Sequence, residues 1–190
     1  SFETLAQPEA ISQQMEKGCI CMIIRRASYE DYSAIYDLVK TAFETARVSS
    51  GTEQDFVLEL RAGENFLPAL EFVAEEDGLL IGHIMLTKQT VQTEKGDFTG
   101  VLVAPLCVSL SRRDQGIGGS LMRYACGQAV DHGFTASFLV GNPAYYARFG
   151  YRCVTDFGIQ NASDIPDEFV QGCELVPHAL QTIRGSIRIV

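Results

Sequence analysis

Residues 112–125, "RRDQGIGGSLMRYA", bring Gly116, Gly118 and Gly119 together between an apolar run, "VLVAPLCVSL" at 101–110, and a segment of helical periodicity. A strand that ends in such a turn and opens a helix suits a phosphate group. The first backbone N–H groups of a helix have no intrahelical partner, and the helix dipole adds partial positive charge there. Gln115, Gly116, Gly118, Gly119 and Ser120 are the expected donors, with Asp114 and Ile117 completing the turn. Glycine lets the main chain come close to a ligand and tolerates positive φ. Arg113 is placed to add a charge-assisted hydrogen bond to phosphate.

Three phosphate-binding patterns compete for this turn. A P-loop needs a lysine after its last glycine, and none follows here. A dinucleotide fingerprint, G-x-G-x-x-G, meets Leu121 where its third glycine belongs, and the turn lies past mid-chain instead of in an opening β-α-β unit. The third pattern, Arg/Gln-x-x-Gly-x-Gly/Ala, is matched by Arg113 through Gly118. A helix and a strand later comes "GNPAYYARFGY" at 141–151, an asparagine and tyrosines ending in aromatic-Gly-aromatic. With an early strand, two helices and a hairpin of the type "VAEEDGLLIGHI", these motifs resemble the GNAT superfamily of acetyl-coenzyme A-dependent N-acetyltransferases. The resemblance spans about residues 22–154 and is specific within 106–151. The tail after residue 155, with "CELVPHAL", is similar to a bacterial branch whose acceptors are mostly unassigned.

That resemblance implies acetyl-CoA as co-substrate, no metal, and transfer of the acetyl group to a primary amine by direct attack in a ternary complex. It implies that the glycine turn clasps the diphosphate of coenzyme A. Leu106, Cys107 and Val108 then run beside the pantetheine arm, and the Val108 N–H polarises the thioester carbonyl. Tyr146, five residues before Tyr151, takes the position of the general acid that protonates the departing thiolate. Asn142 bonds the amide arm, and Tyr145 packs against it. Arg112 and Arg148 either reach the 3′-phosphate or lie solvated on the surface. An acceptor amine must lose a proton before it attacks, because a lysine-type ammonium has a pKa of about 10.4. Glu71, Glu75, His83 and Ser109 are all candidate bases, and the sequence does not choose among them. Cys107 raises a covalent alternative, but an apolar setting pushes a thiol pKa up. Other readings on the same fold are a non-catalytic acyl-CoA-binding sensor or interaction module, and a different acyl donor.

The elements that must position these residues are legible as alternating patterns. Residues 22–27 form a short strand. Ser28 with Asp31 starts a helix whose stripe is Ile35, Leu38, Val39, Ala42 and Phe43. Thr52 and Asp55 repeat the start signal before Phe56, Val57 and Leu60. Asp77-Gly78 marks a tight hairpin turn, and 101–110 is the next strand. A helix over 116–132 stops at Gly133. Residues 134–140 form a buried strand, 144–149 a short helix and 151–154 a strand. The tail holds two more candidate strands, 169–175 and 186–190. The order β-α-α-β-β-β-α-β-α-β predicts an α/β (α+β) fold with a mixed central sheet and flanking helices. Residues 22–190 read as one domain with a cofactor core at 101–154 and tail strands within 165–190. Residues 1–21 read as an extension with a weak apolar side at Ile11, Met15 and Ile20.

Composition sets the outer bounds. The net charge of −9 argues against nucleic acid as a partner. Yet residues 106–152 carry five arginines against two acids, which suits a small anionic ligand. No apolar run is long enough to cross a bilayer, so a cytoplasmic protein is expected, with a small-molecule or protein amine as acceptor. The negative charge leans mildly toward a cationic acceptor such as a polyamine, an aminoglycoside-like compound or a protein lysine. Relatives of this kind are often dimers, which leaves a homodimer open. The six cysteines form no C-x-x-C pair, and Cys107 and Cys126 read as buried reduced thiols.

Overall fold

The computed structural model describes residues 22–45 and 51–190; the extension 1–21 lies outside them. Strand β1 (Met22–Arg26) pairs antiparallel with β2 (Phe66–Glu76). Between them, the backbone N–H and hydroxyl of Ser28 both donate to the Asp31 carboxylate, at 2.7 and 2.9 Å. This box closes a short 3₁₀ turn that leads into α1 (Tyr32–Phe43), and α2 (Glu53–Ala62) follows. The hairpin that follows β2 turns at Asp77 and Gly78, with φ of 50° and 79°. Two successive left-handed residues match the right-handed twist of the flanking strands. β3 (Leu79–Thr93) and β4 (Phe98–Val108) continue the meander. Then come α3 (Ile117–Asp131), β5 (Ala136–Val140), α4 (Pro143–Tyr146) and β6 (Arg152–Cys153), followed by β7 (Ile159–Asn161), β8 (Val170–Glu174) and β9 (Gly185–Ile187).

Among the described residues the strands form one nine-stranded mixed sheet in the order β1-β2-β3-β4-β5-β8-β6. β9 pairs with β3 at Val91–Thr93, past the end of β2, and pairs in parallel with β7. Side chains alternate across the sheet. On one face α3 covers Phe72, Ile84, Leu86, Val101 and Leu139 through Leu121, Met122, Ala125 and Ala129. On the other, α1 and α2 cover Val73, Met85 and Cys107. The stripe expected for α1 is the one that packs: Ile35, Leu38, Val39 and Ala42 are buried and Phe43 is half-buried. The C-terminal segments fill a third cluster around Leu102, Phe138, Val154, Ile159, Leu180 and Ile187.

One irregularity matters for the site. Ile84 faces Leu106 while Leu86 faces Val103, so β4 carries one extra residue there. A bulge of this kind resets the alternation. Leu106 and Val108 therefore join Val101 and Val103 on the α3 face, and Cys107 turns to the α1 face.

Candidate active site

The strand–turn–helix junction after β4 has the geometry that its glycines suggest. Gly116, at φ 79°, is the left-handed residue at the head of α3. The first helical bond runs from the Ser120 N–H to the Gly116 carbonyl at 3.0 Å. That corrects one expectation: the Ser120 N–H closes the helix, and the unpaired donors bordering the adjacent cleft are those of Gly116, Ile117, Gly118 and Gly119, while Gln115, also expected as a donor, does not line it. Ile117 contributes only its main chain, since its side chain is in the core. These donors border a cleft of about 520 Å³ lined by Val108, Gly118, Gly119, Arg123, Tyr145 and Arg148, among others. A Cβ added to Gly118 would stand 3.0 Å from the Tyr145 hydroxyl, so the small residue keeps that wall close. Asp114, at φ 61°, lines the same cleft.

Arg112, Arg113, Arg123 and Arg148 all line the cleft, and they differ in what else they hold. The guanidinium of Arg113 donates to the Ala42 carbonyl at 2.5 Å and to the Thr45 hydroxyl at 3.3 Å. It caps the C-terminal end of α1, where unpaired carbonyls and the negative end of the dipole attract a cation. Arg112 is ion-paired with Glu76. Arg148 lies over the Tyr145 ring at 4.6 Å and donates to the Tyr145 carbonyl at 2.9 Å. Arg123, which sequence reasoning passed over, points into the cleft: a Cβ on Gly119 would meet both its terminal nitrogens at 3.4 Å. Its position one turn after Gly119 on the same helix face was the available signal.

Beside the turn the sheet opens. β4 and β5 pair only at Val101↔Ser137 and Leu102↔Phe138, and then part. The Ser109 N–H donates back to the Ile81 carbonyl at 2.8 Å, toward β3. By the period-two alternation of an antiparallel ladder, the N–H groups of Val108 and Leu106 face the opposite way, into the fork.

The segment after β5 closes the fork's far side. Asn142 caps α4: its side-chain oxygen accepts from the Ala144 N–H at 3.0 Å. That bond uses one lone pair of the oxygen, and the amide nitrogen stays free to donate to a ligand. Tyr145, Tyr146, Phe149 and Tyr151 form an edge-to-face aromatic chain with centroids 4.9 to 6.0 Å apart. Tyr145 is a wall of the cleft, while Tyr146 sits behind it with its ring over Gly141. Burial pushes the Tyr146 phenol up to about 12, with the neighbouring Tyr145 adding to the shift, so it stays protonated across the physiological range.

The four candidate bases are all engaged. Glu75 receives Arg25 at 2.7 Å, and the Ser109 and Ser111 hydroxyls are 3.3 Å apart. Glu71 and His83 are buried together beneath α1 and α2. The Glu71 carboxylate accepts from Arg61 at 2.5 Å and from His83 Nε2 at 2.8 Å, and the Arg61 guanidinium lies 3.7 Å from the Tyr32 ring centre. Burial drives His83 down and keeps it neutral, so its Nε2–H is the donor to the carboxylate. Burial works to raise Glu71, but the bonds from His83 and Arg61 outweigh it and hold the group below its usual value. Cys107 is pushed up to about 12 by burial, which leaves it a thiol.

The arrangement joins a bed of main-chain donors, the guanidinium groups of Arg123 and Arg148 and an open strand edge, with a protonated phenol behind the Tyr145 wall. Those features fit a diphosphate ligand with an extended amide-bearing arm. A family model described as an acetyltransferase (GNAT) domain matches residues 23–154. The chain is 32% identical over 126 residues to the uncharacterized N-acetyltransferase YjhQ of Escherichia coli, covering 66% of this chain and 70% of that one. It is 27% identical over 166 residues to the uncharacterized N-acetyltransferase YhbS of the same organism, covering 87% and 95%. The crystal structure of E. coli YhbS in complex with CoA superposes with a TM-score of 0.81 at 26% identity, covering 93% of this chain and 94% of that one. A GNAT family acetyltransferase from Brucella melitensis in complex with acetyl-CoA gives a TM-score of 0.70 at 26% identity, covering 89% and 96%.

Proposed function

This chain belongs to the GNAT acetyltransferase family and is an N-acetyltransferase, and from that premise we propose how its residues carry out the transfer. Acetyl-CoA supplies an activated thioester. The N–H groups of Gly116 to Gly119 hold the diphosphate at the head of α3, where the helix dipole favours negative charge. Arg123 and Arg148 hold the 3′-phosphate from the cleft wall. The free edge of β4 from Leu106 to Val108 aligns the pantetheine arm as an added strand, and the Asn142 amide nitrogen bonds it from the other side. The Val108 N–H stabilises the oxyanion as a neutral amine attacks the carbonyl directly. The proton the amine sheds passes to solvent water, since Glu71, Glu75 and His83 are bonded elsewhere. Tyr146 gives its proton to the departing thiolate. Its raised pKa keeps the phenol protonated, and its packing against the same core cluster as Leu106 and Val108 supports a place near the open edge.

The observation that carries this reading is the parting of β4 from β5 directly beside the four unpaired donors of α3. It supports a ligand with a diphosphate at one end and an extended amide arm at the other. The acceptor is a primary amine, small or protein-borne. We place the enzyme in the cytoplasm, on the support that Cys107, Cys126, Cys153 and Cys173 are free thiols. The test is a panel of amines, including spermidine, an aminoglycoside and a lysine peptide, scored for free thiol released from acetyl-CoA. One or more members should turn over. Tyr146→Phe should lower kcat by roughly a hundredfold or more while leaving CoA affinity unchanged. Equal turnover in the two proteins would refute the acid assignment.

A further inference from the structure

Gln171 is fully buried in the middle of β8, opposite Leu139 of β5, and the steps of acetyl transfer make no use of it. Its Nε2 donates to the Gly141 carbonyl at 2.8 Å. The N–H of the same glycine donates to the Phe169 carbonyl at 3.0 Å. Both polar groups of Gly141 are thus held by the chain at or just before β8. Gly141 is also the residue on which Tyr146 rests: a Cβ there would stand 2.9 Å from the ring's Cδ2 and 3.3 Å from its Cζ. The next residue, Asn142, caps α4, and its carbonyl accepts the Tyr146 N–H at 3.2 Å.

α4 is a single turn of four residues. A helix that short has no independent stability, so its position is set by what anchors its ends. We propose that Gln171 is a positioning residue for the transfer step: its carboxamide fixes the corner between β5 and α4 and thereby sets where the Tyr146 hydroxyl points. The inference rests on the assignment of Tyr146 as the acid. It adds a residue from β8 that the glycine turn and the tyrosine motif do not contain.

The other end of the carboxamide separates this role from a purely structural one. Oε1 of Gln171 is buried with no donor among the described residues. An apolar side chain here removes the unsatisfied acceptor together with the Nε2 donor, so the desolvation cost it relieves offsets the hydrogen bond it loses. Methionine is close in length and adapts to the same space. Gly141 is only half-buried, so water can take its freed carbonyl. Gln171→Met therefore keeps the fold and loses the tether.

The experiment is a double-mutant cycle of Gln171→Met and Tyr146→Phe, assayed with the panel amine that turns over fastest, alongside thermal melts. Gln171→Met should lower kcat by roughly ten- to a hundredfold, the scale of a misplaced catalytic group. Its KM for acetyl-CoA should change less than about twofold and its melting temperature should hold or rise, as loss of an interaction made only in the transition state requires. On the Tyr146→Phe background the same substitution should have no further effect, because Gln171 acts through that hydroxyl. Normal turnover of Gln171→Met, or an equal loss on both backgrounds, overturns the inference and leaves the acid assignment standing. Normal turnover of Tyr146→Phe overturns the acid assignment, and this inference with it.

Discussion

Two glycines of one helix should respond to the same substitution in opposite directions. Gly116 heads α3 at φ 79°, and a Cβ built on it meets nothing within 4 Å. The whole effect of Gly116→Ala is therefore backbone strain, about 1–2 kcal/mol for a side-chain-bearing residue in the left-handed region. Gly127 lies inside the same helix, exposed, again with nothing within 4 Å of a Cβ. There Ala replaces the poorest non-proline helix former and should stabilise by about 0.5–1 kcal/mol. For a domain of this size each kcal/mol moves the melting temperature by roughly 2–4 °C. Gly116→Ala should melt about 2–8 °C lower and Gly127→Ala up to about 4 °C higher. Calorimetric titration with CoA should separate them further. Gly127→Ala should bind normally. Gly116→Ala should bind roughly ten- to a hundredfold more weakly, if turning the peptide loses one hydrogen bond to a charged oxygen, about 1.5–3 kcal/mol. A Gly116→Ala protein that melts no lower than its parent and binds CoA normally would refute the claim that the left-handed turn presents the donors.

Other outcomes follow from the same geometry. Both arginines line the cleft, so on the proposed 3′-phosphate role Arg123→Gln and Arg148→Gln should each weaken CoA binding by roughly tenfold and dephospho-CoA binding much less; equal losses for both ligands would reassign them. Cys107→Ala should keep kcat within about twofold, because a thiol pushed up to about 12 is no nucleophile at neutral pH; loss of turnover in a folded variant would revive a covalent route. Acid should unfold the protein through the buried Glu71–His83–Arg61 group. Both titrating members have lowered pKa values when folded, so their contribution is complete above the unfolded histidine value of 6.5. It is lost as pH falls, first through His83 and then through Glu71. Melting temperatures should decline below about pH 6.5, and a flat profile down to pH 4 would contradict the neutral-His, charged-Glu arrangement.

Most of the fold was legible because its signals are local. The Asp77-Gly78 turn, the Ser28–Asp31 box and the apolar stripe of α1 each depend on residues a few positions apart, and each stands where its pattern puts it. The glycine turn and the tyrosine motif likewise fall on one cleft and its flank. Partnership over long separations was not legible. Nothing within "RRDQ" shows that Arg113 will turn to the end of α1, about seventy residues earlier, because the carbonyls that attract it are main-chain groups without a sequence signature. The three-residue β7 and its parallel pairing with β9 are too short to register as periodicity. The short helix expected at 144–149 is one α turn at Pro143–Tyr146 followed by a 3₁₀ turn at Ala147–Phe149, since Gly150 stops it at φ 86°. Glu71 and His83 each read as a possible base, and only the fold reveals that they satisfy one another beneath two helices.

The central claim is that main-chain amides at the head of α3 hold the diphosphate of coenzyme A. Amide chemical shifts followed by NMR while CoA is added test it directly. The largest perturbations should fall on Gly116, Ile117, Gly118 and Gly119, with Val108 shifting as the arm aligns along β4. Saturable binding that leaves those amides in place, or no binding at all, would contradict it.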